Sequence, residues 1–232
     1  PARSKVNFVR YADDFIVTAA TRELLEKRVL PALRNFLDDR GLHLSEEKTR
    51  LVHITDGFDF LGQTIRKFKD KLLIQPANGN IKSFLDKIRD CIRGHHGHSA
   101  HALISDLIPR IRGWANYHRH IYAYHCFEHV DLRIFNLVWN WLKRRHCTNG
   151  KRWRARSNFC FHRGRNWTLF GKYKTAAGEA KTVYLLRTTT LRTIPYAKIR
   201  ADAQPFDPKW EEYFVKRRTT KYLSVSRARY RQ

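Results

Sequence analysis

The chain of 232 residues contains 46 Lys and Arg against 21 Asp and Glu, which gives a formal charge of +25. Its length suits one large domain or two small ones, and its 42% of hydrophobic residues excludes wholesale disorder. So large a charge makes nucleic acid the expected partner rather than a membrane, because the basic residues do not form one clean amphipathic helix and no apolar run is long enough to span a bilayer.

The charge is concentrated in the C-terminal part of the chain. Residues 1–75 hold 14 basic and 11 acidic side chains and are nearly balanced, whereas residues 132–232 carry +20 of the total. This break in charge predicts at least two functional parts.

The first elements alternate between strand and helix patterns. Residues 6–19 are β-branched and aromatic on both sides of Ala12-Asp13-Asp14, which predicts a β-hairpin with the acidic pair at its turn. Apolar spacing predicts a helix over 22–40 that ends at Gly41, with Pro31 either kinking it or delaying its start. Short strands are predicted at 50–55, 58–66 and 71–75. This order indicates an α+β fold.

Three amphipathic helices are predicted next, after a loop at 78–80. A Gly- and His-rich break at 94–98 separates the first two, and the third ends near Arg145. Three successive apolar stripes predict a small helical bundle. Beyond Cys147 the pattern weakens, and we predict strands at 167–173 and 182–188 and then a polar, partly irregular tail from 195. The apolar positions that define the helices are Ile81, Phe84, Leu85, Ile88, Ile92, Leu103, Ile104, Leu107, Ile111, Trp114, Phe127, Val130, Ile134, Val138, Trp141 and Leu142.

Asp13 and Asp14 are the first candidate site. Aspartate is common at turns because it tolerates turn geometry and caps backbone groups, so a structural role is the simpler alternative. Here the flanking residues are apolar, so we expect a buried hairpin. Two like charges held beside a core cost free energy unless a cation neutralises them. Mg²⁺ prefers carboxylate and phosphate oxygens, and two such ions can activate a hydroxyl and stabilise a leaving pyrophosphate.

The segment 8–15, FVRYADDF, resembles the Tyr-Ala-Asp-Asp box of reverse transcriptases. Residues 41–49 resemble the next block of the palm in bacterial retroelement polymerases, and residues 58–62 resemble the turn that holds the primer terminus. The resemblance implies that Asp13 and Asp14 are catalytic Mg²⁺ ligands. It also implies a primer-grip-like role for three residues, which are Phe60, Leu61 and Gly62.

The helical region resembles the thumb, or domain X, of group II intron maturases. The resemblance is carried by IRGWANYHR at 111–119 and VWNWLKRR at 138–145. We expect Trp114 and Trp141 to be core residues. The exposed basic residues are the candidates for RNA contact, namely Arg112, Arg119, Lys143 and Arg144. Residues 194–199 and 205–214 resemble the region that follows domain X in bacterial members.

A third candidate is the stretch 132–178, which has 12 basic residues, nine aromatic residues and no acidic residue. A run of charge is usually a solvated face. Without balancing acids, however, the arginines are expected to contact phosphates and RNA grooves, and the aromatic rings to stack on bases. The arginines are Arg152, Arg154, Arg156, Arg163 and Arg165. The aromatic residues include Trp153, Phe159, Phe161, Trp167 and Tyr173.

The histidines and cysteines give weaker signals. His95, His96, His98 and His101 lie in a glycine-rich break without a Cys or carboxylate partner, so a solvated loop is expected rather than a zinc site. The four cysteines show no Cys-x-x-Cys spacing, which predicts reduced thiols of a cytosolic protein.

The resemblance covers nearly the whole chain and implies three parts. Residues 1–76 would be the end of a reverse transcriptase palm, 77–147 the thumb, and 148–232 a basic nucleic-acid-binding region. The implied function is that of a group II intron-encoded RNA-directed DNA polymerase and maturase. Such a protein binds intron RNA, assists splicing and copies RNA into DNA on an RNA/DNA primer-template at a target DNA, with Mg²⁺ as cofactor, in the bacterial cytosol or nucleoid.

Two alternatives remain. The protein could be an RNA-binding splicing cofactor without polymerase activity, or another bacterial reverse transcriptase such as a retron type, against which the maturase-like thumb and long basic C-terminus argue. The family's third carboxylate, its fingers and part of its palm precede the hairpin, and many members end in an HNH endonuclease. Since the chain begins with Pro1 and contains no Met, we expect it to be a piece of a longer frame that does not polymerise alone.

Overall fold

The structure is a computed structural model that describes residues 6–194, 199–200 and 202–218. The chain divides into two compact units with the boundary between Lys82 and Ser83, and each is described by itself. The boundaries predicted between palm, thumb and C-terminal region stay a prediction.

The N-terminal unit begins with the predicted hairpin. Strand β1 (Asn7–Tyr11) pairs antiparallel with β2 (Asp14–Thr18), and Tyr11 faces Asp14 across the turn. The predicted helix follows as α1 (Arg22–Leu24), a π-helical turn (Leu25–Val29) and α2 (Leu30–Asp38).

Pro31 neither ends this helix nor delays it. The chain widens into the π-helical turn directly before α2, which is a way of accommodating the proline's missing N–H and its ring. Gly41 has φ +67°, and the N–H groups of Gly41 and Leu42 bond back to the carbonyls of Asp38 and Leu37. This is the Schellman ending for which glycine is the preferred residue, as predicted.

A three-stranded antiparallel sheet follows, in the order β3 (Phe58–Phe60), β4 (Gln63–Phe68) and β5 (Lys71–Pro76). The strand predicted over 58–66 is therefore a hairpin, which turns at Leu61-Gly62. The strand predicted at 50–55 was wrong. Its β-branched residues suggested pairing, but the segment turns on itself, since the N–H groups of Asp56 and Gly57 bond to the carbonyl of His53.

The predicted loop at 78–80 was also wrong, because helix α3 (Asn78–Gly94) already begins there. In the C-terminal unit α3 continues and is followed by α4 (Ala100–His118) and α5 (Tyr124–Arg145), as the apolar stripes predicted. Pro109 lies inside α4 on its exposed side and does not interrupt it. Fully buried side chains from all three helices form the core, among them Ile88, Ile92, Leu103, Leu107, Ile111, Val130, Val138 and Leu142.

The two tryptophans expected in the core pack inside the bundle. Trp141 is 1% exposed, and its indole N–H donates to the carbonyl of His95 at 3.0 Å. Trp114 is half-buried and stacks on Phe84 with ring centroids 4.6 Å apart.

The region after Cys147 is more regular than the sequence indicated. Helix α6 (Lys151–Asn158) and strand β6 (Phe159–His162) were missed, because their basic and aromatic residues show no clear apolar period. The antiparallel sheet continues with β7 (Arg165–Lys174) and β8 (Ala180–Tyr184). The strand predicted at 182–188 ends early, and a 3₁₀ turn forms at Thr188–Thr190.

Asp131 on α5 fixes this 3₁₀ turn. Its carboxylate accepts the backbone N–H and hydroxyl of Thr188, both at 2.8 Å, and those of Thr189 at 3.2 and 2.7 Å. The described part of the tail adds a 3₁₀ turn at Pro208–Trp210 and helical residues 211–218.

The fold is α+β, as predicted, because helices and antiparallel sheets occupy separate stretches of the chain. Among the described residues, no helix combines the length and the apolar composition that crossing a bilayer requires.

Candidate functional site

The acidic pair lies at the end of the first hairpin. Asp13 is in the turn and Asp14 is the first residue of β2, so backbone pairing with Tyr11 fixes its position. Ala12 has φ +53°, and the Arg10 Nε–H donates to its carbonyl at 2.6 Å. The turn thus presents two adjacent carboxylates to solvent.

The hairpin is not buried, contrary to the expectation drawn from its apolar flanks. Strand β1 is exposed along its whole length, Tyr11 is 64% exposed, and Phe8 packs on Phe15 with centroids 5.6 Å apart. Burial within the described chain therefore does not force a cation onto Asp13 and Asp14.

The donor set nevertheless fits Mg²⁺, because it consists of adjacent carboxylate oxygens that face solvent. Across the described ranges, Asp13 and Asp14 do not belong to any group of three or more potential metal ligands. Two carboxylates alone are a partial site.

The primer-grip-like residues lie at the β3–β4 turn. Phe60 ends β3, and Leu61 and Gly62 have φ +49° and +73°, as in a type I′ turn. The Gly62 carbonyl accepts the N–H of Ala77 at 3.0 Å. A Cβ on Gly62 would lie 2.7 Å from the amide nitrogen of Asn80, so the turn packs closely against the start of α3.

The four predicted RNA-contact residues of the helical bundle occupy helix surfaces. Arg112 is exposed on α4, and Arg119 is half-exposed just beyond the end of that helix. Lys143 and Arg144 are exposed in the last turn of α5, where cations favour the negative end of the helix dipole.

Four of the five predicted arginines of the basic stretch are exposed. Arg152 and Arg156 lie on α6, Arg163 lies in the β6–β7 turn, and Arg165 begins β7. Arg163 and Gly164 have φ +48° and +74°, so this turn also has type I′ character.

Arg154 differs from its neighbours. Its Nη1 donates to the carbonyls of His146 at 2.9 Å and Asn149 at 2.6 Å, and the side chain is half-buried. This guanidinium therefore bonds the carbonyls that follow α5, and its predicted phosphate contact stays a prediction.

His95 also departs from the expectation, since it has both a cysteine and a carboxylate beside it. The ligand atoms of Cys91, His95 and Asp106 lie within 4.8 Å of one another, and His95 Nε2 is 3.3 Å from Asp106 Oδ2. Burial raises the pKa of the Cys91 thiol, while the nearby Arg110 opposes that rise. The guanidinium beside the thiol disfavours a metal ion there.

Sequence reasoning missed an aromatic cluster in the C-terminal unit. Phe135 and Trp139 stand one turn apart on α5, and the ring of Trp167 lies 6.3 Å from each of them. The i, i+4 spacing of the two α5 residues was a readable signal. Their contact with Trp167 on β7 depends on tertiary structure, so the sequence could not predict it.

Two family models match adjacent parts of the chain. Residues 1–65, which include the acidic hairpin, match the model of the reverse transcriptase (RNA-dependent DNA polymerase). Residues 81–159, which include the three-helix bundle, match the group II intron maturase-specific domain. Together the two matches span more than half of the sequence, in the order expected from the motifs.

The two matches, in this order, support a group II intron reverse transcriptase/maturase.

A curated relative agrees with this placement. "Maturase-like protein 1" of Euglena gracilis is 30% identical over 98 residues. The match covers 41% of this chain and 21% of the relative, so the chain spans about a fifth of that maturase-like protein.

Proposed function

We propose that the whole protein is a group II intron-encoded RNA-directed DNA polymerase and maturase. The observation that carries the proposal is the acidic turn within the reverse transcriptase match, followed in the same chain by the maturase-specific domain. The basic and aromatic residues of α6 and the last sheet support nucleic-acid contact.

The proposed layout follows the resemblance. The hairpin, α2 and the β3–β5 sheet are the end of the palm, the α3–α5 bundle is the thumb, and the region from 148 onwards contacts nucleic acid. Intron RNA, an RNA/DNA primer-template and target DNA are the proposed partners, in the cytosol or nucleoid. Each is a polyanion, which matches the excess of 25 positive charges.

In the proposed mechanism, Asp13 and Asp14 hold Mg²⁺, which when bound supplies charge stabilisation at the reacting phosphate. The protein's part is positional. Pairing of Asp14 with Tyr11 and the bond from Arg10 to Ala12 fix the acidic turn. The Phe60-Leu61-Gly62 turn, held against α3, orients the primer strand.

The test replaces both carboxylates by amides in the whole protein, as Asp13→Asn with Asp14→Asn. Asparagine keeps the size and the turn preference of aspartate, so loss of activity reports loss of charge. We expect primer extension to fall by orders of magnitude while affinity for intron RNA is retained. Asp56→Asn, in another exposed turn of the same unit, is the control. Undiminished extension by the double variant would refute the assignment.

The 232-residue chain alone should give no primer extension above background. Among the described residues no third carboxylate joins Asp13 and Asp14, and the family's third ligand belongs to an earlier block. Template-dependent synthesis by this chain would show that its own residues complete the site.

The second candidate is a maturase whose splicing role needs no polymerase. It is favoured by the maturase-specific match, which lies outside the region that contains the acidic pair. A splicing assay with the Asp13→Asn, Asp14→Asn variant separates the candidates when run beside primer extension by the wild type. Splicing without any wild-type extension would favour the cofactor, and splicing with extension would favour the dual function.

A further inference from the structure

A cavity of about 720 Å³ opens beside α5 in the C-terminal unit. Its walls come from α5, the start of α6, the start of β7 and residues 187–189. Cavities of about 300–1,000 Å³ are typical of small-molecule sites.

Three aromatic rings shape the apolar wall. Phe135 and Trp139 are nearly parallel, at 18°, with centroids 6.2 Å apart. The Trp167 ring stands at 90° to Phe135 and 73° to Trp139. Trp167 is 47% exposed, so part of its surface is available to a planar partner.

The backbone at Trp167 is a second observation. Its φ of +61° lies in the left-handed region, where a bulky side chain is rare. Arg187 Nη2 donates to the carbonyls of Asn166 and Trp167 at 3.0 and 3.1 Å and holds this conformation. The register of β6 and β7 shifts here, so that Asn166 and Trp167 lie opposite Phe161, and the positive φ belongs to a β-bulge, a feature that re-aims a side chain and is over-represented beside functional sites.

The charges around the cavity favour a phosphate. Lys151 and Arg165 are exposed cations on its wall, and among the described residues neither takes part in an ion pair. Two carboxylates also lie on the wall, against three cations when Arg187 is counted. Asp131 accepts from Thr188 and Thr189, and Glu128 lies 3.4 Å from His125 Nδ1.

Two side-chain amides complete the lining. Asn136 and Asn166 each offer a donor and an acceptor, which is the chemistry that pairs with the polar edges of a base. A stacking ring, base-edge groups and two cations are thus within one cavity.

We propose that this cavity binds one unpaired nucleobase, which stacks on Trp167 while Lys151 and Arg165 neutralise its phosphate. This inference rests on the proposed function, because it assumes that the protein contacts nucleic acid. It adds a site that selects flexible, unpaired nucleotides over regular duplex. The same chemistry could come from RNA or from single-stranded DNA, and the experiment separates the two.

The experiment measures binding of the 232-residue chain to three fluorescein-labelled 12-mers by anisotropy: oligo(rA), oligo(dA) and an abasic strand of equal charge. Trp167→Asn removes the ring and suits the left-handed backbone. Trp167→Tyr restores an aromatic face. Tyr122→Ala removes an exposed aromatic ring, at 52%, that neither lines the cavity nor belongs to the basic stretch 132–178. Near-ultraviolet circular dichroism checks the fold of each variant.

We expect the wild type to bind oligo(rA) more tightly than the abasic strand. Trp167→Asn should weaken oligo(rA) binding by about 5- to 100-fold and abasic binding little, Trp167→Tyr should recover most of the loss, and Tyr122→Ala should have a smaller effect. A matching loss with oligo(dA) would make single-stranded DNA a ligand as well, and no such loss would restrict the site to RNA.

Equal wild-type affinity for oligo(rA) and the abasic strand would overturn the inference without using any variant. Equal losses for Trp167→Asn and Tyr122→Ala would also overturn it. So would self-association of the chain that disappears in Trp167→Asn, because the cavity would then be a protein contact. Retained, salt-sensitive binding of structured RNA in any of these cases would leave the proposed function standing. If the wild-type chain showed no salt-sensitive binding of structured RNA, the proposed function would be refuted separately.

Discussion

The side chain of Arg187, which follows β8, donates a hydrogen bond from Nη2 to the carbonyl oxygen of Trp167 on β7 at 3.1 Å. The same nitrogen reaches the carbonyl of Asn166 at 3.0 Å. A left-handed backbone costs a bulky residue about 1–3 kcal/mol, so an external clamp is needed to keep it. Arg187 thereby holds the backbone that carries the Trp167 ring of the aromatic cluster.

Replacing this clamp should destabilise the C-terminal unit. For Arg187→Gln we expect the free energy of unfolding to fall by about 1.5–3 kcal/mol, because charge-assisted bonds to two carbonyls are lost. Urea unfolding followed by tryptophan fluorescence measures the change. Arg192→Gln, at an exposed position nearby, is the control and should change stability by less than about 0.5 kcal/mol. Equal effects of the two substitutions would show that the Arg187 bonds contribute nothing.

At two positions of the C-terminal unit, replacing glycine by alanine should change stability in opposite directions. A Cβ on Gly171 would lie 2.6 Å from the Cα of His101 and 2.9 Å from the carbonyl carbon of Ala100, where β7 packs against the start of α4. These are backbone atoms, which cannot move aside cheaply. A Cβ on Gly113, inside α4, would have no such neighbour within 4 Å.

Gly171→Ala should therefore lower the free energy of unfolding by about 1–3 kcal/mol through overpacking. Gly113→Ala should raise it by about 0.5–1 kcal/mol, because alanine favours a helix interior. Thermal unfolding of both variants beside the wild type measures the difference. If Gly171→Ala were as stable as the wild type, β7 would not pack closely on α4.

Much of the fold was readable from local pattern. Helices α3 to α5 have long apolar stripes, and the first hairpin places turn residues between two β-rich segments. The failures occurred where short segments lack a clear period. Residues 50–55 are β-prone, yet the chain turns there because the N–H groups of Asp56 and Gly57 bond to the carbonyl of His53. Helix α6 is rich in basic residues and shows no clear apolar period.

The sites were less predictable than the elements. Sequence located Asp13 and Asp14 in a turn but wrongly expected that hairpin to be buried. It grouped Arg154 with four exposed arginines, because the carbonyls that it bonds, at His146 and Asn149, become acceptors only when α5 ends there. Positive φ at Trp167 has no signature in a single sequence.

The exposed arginines of the basic stretch should dominate the salt dependence of nucleic-acid binding. Each phosphate contact contributes about 0.7–0.9 to the slope of log affinity against log salt. For a variant with four Arg→Gln changes we expect the slope to flatten by up to about 3. The four positions are Arg152, Arg156, Arg163 and Arg165.

A second variant removes the same charge from the nearly balanced N-terminal unit, by changing Arg34, Lys48, Arg50 and Lys69 to Gln. It should flatten the slope less. Arg154→Gln alone should lower stability by about 1.5–3 kcal/mol and change the slope by less than one contact, since that side chain is bonded to carbonyls. Equal slopes for the two quadruple variants would mean that the arginine stretch is a solvated face.

His118 makes the bundle sensitive to acid. It is fully buried on α4, with its ring 4.8 Å from those of Trp114 and Tyr117, and burial lowers its pKa to about 4. The nearby His120 contributes to the same shift. The folded state therefore keeps this imidazole neutral at pH values where the unfolded chain, with a usual pKa of 6.5, binds a proton.

Because the unfolded state takes up more protons between these two pKa values, stability falls as the pH drops from about 6.5 to about 4. Above 6.5 this residue contributes no pH dependence, and below 4 its effect is complete. We expect the difference in unfolding free energy between wild type and His118→Leu to be constant above pH 7 and to shift in favour of the variant as the pH falls to 5. The exposed His129→Gln variant, also on a helix of the bundle, is the control for replacing a histidine. Parallel pH profiles for the wild type and His118→Leu, from urea unfolding at intervals of half a pH unit, would show that His118 is not held neutral by burial.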